Sequence, residues 1–171
     1  MRACAVILIA LVATAPVTAA ERHRAHQHDA AKLQVSVDGR ALQISFEGPA
    51  DNMLGFEHAP KNDAQRKTLA RAEEQLRRPT QLFVLPATAE CQAQPVQLDM
   101  RLPDAGAGET HSEMHVDWRW ACARPEALSH VDVGLFKAFP RLRELRVELV
   151  TPAGQRTAVL KPSAVRLKLL S

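Results

Sequence analysis

The chain has 171 residues, of which 24% are charged and 4% aromatic, with a formal net charge of +3. That length holds one ordinary domain with room for a real core. The basic residues are scattered, Arg77-Arg78 being only a doublet, so nucleic-acid binding has neither the basic run nor the stacking aromatics it needs.

Residues 1–20 read as an export signal. Arg2 supplies the positive start, Val6 to Val12 the apolar stretch, and Ala15-Pro-Val-Thr-Ala-Ala20 the small-residue cleavage region. Cleavage after Ala19 and cleavage after Ala20 both fit. The apolar stretch is too short to span a bilayer, and no later segment approaches the roughly 20 apolar residues a span needs. The expectation is a mature protein outside the cytoplasm with no membrane insertion. Its formal charge is +2, because Arg2 is the only charged residue removed from the +3 of the whole chain.

Residues 21–30 form a polar tail with His23, His26 and His28, and residues 31–171 a single β-rich domain. Leu33, Val35 and Val37 alternate with polar residues, Asp38-Gly39 follows, and Leu42, Ile44 and Phe46 alternate again. This is a hairpin signature, with a type I′ turn expected at Asp38-Gly39. Gly48-Pro49 ends the second strand. A helix is expected from Asn62 or Asp63 to about Arg78, with Gln65 placed for a capping box and Leu69, Ala72 and Leu76 as its apolar stripe. Pro79 stops it. Short strands are expected at Gln81 to Leu85 and Val96 to Leu102. Further on, Pro125 and Val131 to Phe139 read as short helical segments, and strands are expected at Leu145 to Leu149, Thr157 to Leu160 and Val165 to Leu170. The fold class is α+β, antiparallel and sandwich-like, with about seven or eight strands, one main helix and one disulfide.

The disulfide follows from compartment and count. With Cys4 in the export signal, Cys91 and Cys122 remain, and in an oxidising compartment two cysteines pair. The bridge would close a loop of about 31 residues and contribute roughly 3–4 kcal/mol. Two buried thiols are the competing account.

The most informative stretch runs from Glu109 to Cys122. Read as a strand, it alternates: Met114, Val116, Trp118, Trp120 and Cys122 take one face, while Glu109, His111, Glu113, His115, Asp117 and Arg119 take the other. The second face is a row of imidazoles and carboxylates, the ligand types of divalent transition metals. Residues two apart on a strand are about 6.6 Å apart on one face, so Glu113, His115 and Asp117 can share an ion, with His111 entering from the glycine-rich loop. A string of weak half-sites, or a solvated face whose carboxylates pair with Arg119, are the alternatives.

The tail histidines form a second cluster that would bind zinc loosely, because ordering a tail costs backbone entropy. If cleavage follows Ala20, the free amine, two amides and the His23 ring of Glu21-Arg22-His23 form a square-planar nitrogen set suited to Cu²⁺ or Ni²⁺. His58 and Glu57 sit before the helix, where either a metal or a structural role fits. His130 reads as a surface residue. The chain has no Gly-x-Ser-x-Gly, His-Glu-x-x-His or phosphate loop, so catalysis is not expected.

Asn52-Met-Leu-Gly-Phe-Glu-His-Ala-Pro60 is too specific for propensity to explain. Together with His115-x-Asp117-Trp118 leading to Cys122, Leu135-Phe136-Lys-Ala-Phe139-Pro140 and Val150-Thr-Pro-Ala-Gly-Gln155, it resembles the ZrgA-like family of zinc-regulated periplasmic zinc-binding proteins of Gram-negative bacteria. The similarity runs from about His26 to Leu170. It implies a periplasmic protein that binds Zn²⁺ through histidine-rich segments and assists the components of a zinc-uptake ABC transporter. Carried over residue by residue, His111, His115 and Asp117 fall in the family's metal-type region, as do His26 and His28 at the N-terminus. Many relatives carry a long His/Asp/Glu-rich insertion before the His-x-Asp strand. Here that region is only Asp104 to His115, which argues against high-capacity buffering. Imidazole ligation predicts that zinc affinity falls between about pH 7.5 and 5.5. A structural or adaptor domain with incidental histidines is the reading of a different class.

Overall fold

The computed structural model describes residues 30–104 and 112–170, and every structural statement below concerns these residues. The export signal, the tail histidines His23, His26 and His28, and His111 lie outside them.

Ten strands form two sheets, accompanied by four α-helices. Strands β1 (Ala30–Asp38) and β2 (Ala41–Pro49) are the hairpin. Its register pairs Asp38 with Ala41, so the two loop residues are Gly39 and Arg40. Gly39 has φ +53° and Arg40 does not share that region, which is the pattern of a type II′ turn rather than the expected I′. A single turn, α1 (Asp51–Leu54), then leads to the main helix, α2 (Asp63–Leu76). Asn62 caps α2 by accepting from the Gln65 amide at 2.9 Å. The Gln65 side chain reaches back one residue further than a capping box requires, to the Lys61 amide at 2.8 Å. After α3 (Pro79–Leu82) come three short strands, β3 (Phe83–Val84), β4 (Cys91–Ala93) and β5 (Gln97–Met100).

The long strand β6 (Glu113–Cys122) follows, then β7 (His130–Val133), α4 (Leu135–Ala138), β8 (Glu144–Thr151), β9 (Gly154–Leu160) and β10 (Arg166–Lys168). The segment Val131 to Phe139, expected to be helical, divides into β7 and α4. Val131 and Val133 face one way at period two and are buried, and only the next turn winds up. Short apolar runs of this kind do not reveal their period.

The large sheet runs β4-β6-β2-β1-β8-β9, with β5 pairing beside β4 along the same edge of β6. Its pairs are antiparallel except β1 with β8, which is parallel and joins the two ends of the domain. The small sheet is β10-β7-β3. The inner face of the large sheet is apolar on β1, β2 and β8: Leu33 and Val35, Leu42, Ile44 and Phe46, Leu145, Val147 and Leu149 are all buried. On β6 the alternation is complete, with Met114, Val116, Trp118, Trp120 and Cys122 buried. Phe83 of β3 meets Trp118 and Trp120 edge-on at 4.8 and 5.7 Å, so the small sheet lies over β6. The Trp118 indole Nε1 donates to the Leu76 carbonyl at 2.7 Å, fastening β6 to the last turn of α2. Cys91 and Cys122 are directly opposed on β4 and β6 and form the expected disulfide. The result is one core beneath one polar sheet face.

Candidate metal-binding face

Burial of the even-numbered residues of β6 forces its odd-numbered ones outward. Glu113, His115 and Arg119 are exposed and Asp117 is half-buried. The His115 ring is 52% exposed, with Nε2 3.9 Å from a Glu113 carboxylate oxygen. Asp117 is already engaged, accepting a hydrogen bond from the Ser45 hydroxyl on β2. The row expected along one strand therefore exists, but its members differ: Glu113 and His115 are free to turn toward an ion, whereas Asp117 is held by its neighbour.

The cross-strand register adds residues that the alternation of one strand could not reveal. His115 lies opposite Asp99 of β5 on one side and opposite Glu47 of β2 on the other. Asp99 pairs with Arg101 through Oδ2 at 3.0 Å, and both partners are well exposed. Lys32 is the cross-strand neighbour of Glu47, yet its ammonium turns to Glu148 at 3.3 Å. Among the described residues, no three His, Cys, Asp or Glu side chains already converge as a metal-binding group. The face is a set of exposed imidazole and carboxylate side chains and not a preformed cage.

Glu57 and His58 belong to a brace beside this face. Asn52, fully buried, donates to the Ala30 carbonyl at 3.0 Å and so fixes α1 to the start of β1. Gly55 closes α1 in the left-handed region at φ +81°. The Ala59 amide donates to the Pro103 carbonyl at 2.8 Å, the Ser112 hydroxyl donates to the Glu57 carbonyl at 2.6 Å, and the Ala50 amide donates to the Ser112 carbonyl at 2.8 Å. The Asn52 to Pro60 segment thus holds Pro103 on one side and Ser112 on the other side of residues 104–111 in the sequence. This accounts for the specificity of that segment without invoking metal. The His58 ring lies against Phe56 with centroids 5.6 Å apart, and its Nδ1 is 2.9 Å from the Ala59 carbonyl. A carbonyl only accepts, so in the neutral ring Nδ1 carries the proton and Nε2 the lone pair.

His130 is surface-facing but not isolated. Its neighbour Asp132 is gripped by Arg166 from β10, with Nε and Nη2 each 2.6 Å from a carboxylate oxygen. That hydrogen-bonded pairing holds the Asp132 carboxyl below the usual carboxylate range. A lowered folded value means that the pair stabilises the protein above about pH 4 and that this contribution disappears as pH falls through the folded value. Arg166→Ala is therefore expected to lower the urea midpoint modestly at neutral pH, with the difference from the parent shrinking as the Asp132 carboxyl is protonated in acid. An equal difference at neutral and acid pH would show that Arg166 acts by packing and not by charge.

No helix among the described residues is long and apolar enough to cross a membrane. No curated protein matches the chain. A family model described as "ZrgA family zinc uptake protein" matches residues 25–169, which covers both sheets, the brace and the polar face of β6. The chain belongs to the ZrgA family of zinc uptake proteins.

Proposed function

We propose that this protein is a periplasmic accessory factor that captures Zn²⁺ reversibly through His and carboxylate ligands and passes it to a component of a zinc-uptake ABC transporter. The observation that carries this reading is the outward row of β6, where His115 stands exposed beside Glu113 on a strand whose other face is fully buried. A rigid strand fixes the backbone, while exposed side chains keep the ligands exchangeable, as a carrier must. Three protein ligands leave a coordination position open for water or for a receiving ligand. Asp117, His111 and the tail residues His26 and His28 are further candidate ligands, the last three on sequence grounds alone. A disulfide within the core suits an oxidising compartment, and the family match names zinc, which gives the copper alternative at Glu21-Arg22-His23 no support. Nothing here calls for catalysis, and we assign none.

The test is a zinc titration of the mature, disulfide-intact protein against a competing chelator. Saturable binding that weakens by about tenfold or more in His115→Ala is expected. If the parent protein withholds no zinc from the chelator, the carrier reading fails and the adaptor reading takes its place.

A further inference from the structure

We propose that Asp99, His115 and Glu47, one residue from each of three adjacent strands, form a zinc site on the outer face of the large sheet. This deepens the zinc-carrier reading and rests on it. The register sets His115 directly opposite both acids, Asp99 on β5 and Glu47 on β2. Directly opposed positions bring Cβ atoms to about 4.5–5.5 Å, closer than the roughly 6.6 Å between alternate residues of one strand. The cross-strand pairs are thus better placed to share one ion than Glu113, His115 and Asp117 in a row.

The competing contacts agree. Asp117 is occupied by Ser45, whereas Lys32, the cation opposite Glu47 in the register, reaches Glu148 instead. The Asp99–Arg101 pair is well exposed, and such pairs contribute only about 0–1 kcal/mol, so an ion displaces it readily. Glu113, 3.9 Å from the His115 ring, stands next to this row as a third carboxylate. One imidazole and two carboxylates match the nitrogen and oxygen ligation zinc accepts, without the thiolates that would make release slow. The side chains do not converge before the ion arrives, and their exposure lets them turn to meet it.

The experiment titrates Zn²⁺ against a competing chelator in the full mature chain, comparing the parent with Glu47→Gln, Asp99→Asn, the double variant, Asp117→Asn and His115→Ala. The upward shift in melting temperature caused by zinc is recorded for each. Glu47→Gln and Asp99→Asn are each expected to weaken one site by about tenfold or more. The double variant is expected to bind one ion per chain fewer, and Asp117→Asn to weaken binding less than either single variant, because Asp117 is engaged by Ser45 and stands outside this trio. Melting without zinc should be unaltered in all four carboxylate variants, which separates a lost ligand from a damaged fold. If His115→Ala weakens binding but Glu47→Gln and Asp99→Asn do not, the cross-strand site is wrong although the carrier reading survives. If the parent binds no zinc, both fall.

Discussion

Replacing Trp118 with alanine is expected to destabilise the folded domain by about 3–5 kcal/mol, the usual cost of emptying a buried tryptophan site. Trp118 is the largest fully buried side chain, at 0% exposure, and it joins three elements at once. Its ring packs edge-on against Phe83 of the small sheet, and its indole N–H satisfies the Leu76 carbonyl. That carbonyl lies in the last turn of α2, where no intrahelical donor remains. Trp118→Phe separates the two contributions. It keeps most of the ring volume but leaves a buried acceptor without its donor, at about 1–3 kcal/mol. Urea unfolding of both variants checks this, with alanine clearly worse than phenylalanine. If both cost the same, the hydrogen bond and not the ring would be what holds β6 to the helix. The consequence for function is direct, because Trp118 sits between Asp117 and Arg119 on the strand that carries His115. A strand not pinned on its inner face cannot hold its outer face in register with Asp99 and Glu47.

What could be read in advance was local. Alternation along β6 assigned each of its described side chains to the correct face, because one buried face leaves no freedom in a period of two. The hairpin, the Asn62 cap and the Cys91–Cys122 bridge were legible for the same reason, each depending on a short motif or on a simple count. The partners of β6 were not legible. Asp99 and Glu47 lie far from His115 in sequence, and only the pairing of three strands brings them into one row. A single strand read alone therefore pointed to Asp117, two residues away, and missed the two acids directly opposite. The parallel pairing of β1 with β8 escaped for the same reason, since hydrophobic patterning specifies which face is buried but not which strand lies alongside. The Asn52 to Pro60 segment stood out by resemblance, yet its work is done mainly by backbone amides and carbonyls, whose contacts side-chain chemistry does not announce.

Removal of the disulfide, by Cys91→Ala with Cys122→Ala, is expected to lower stability by about 3–4 kcal/mol on the loop-entropy account. It should do so without weakening zinc binding at temperatures where the protein stays folded. The bridge joins directly opposed residues of β4 and β6, and β4 has only three residues at the edge of the sheet. Without the bridge that short strand has little to hold it. Cys122 stands at the end of β6 remote from His115, and β5, which carries Asp99, pairs with β6 along Met114 to Asp117 through its own register. The staple thus supports the core at one end of the strand while the proposed ligands occupy the other. Because Cys122 is also buried in the core, the alanine variant loses some packing as well. Reduction of the parent protein with a thiol reagent supplies the comparison that leaves both side chains in place. Thermal melting in oxidised and reduced form, followed by the chelator titration of each, measures the two effects separately. A zinc affinity that falls on reduction while the fold persists would mean that the ligand row depends on tension at the far end of β6. An unchanged affinity would make the bridge a device for durability, as suits a disulfide that persists in an oxidising compartment.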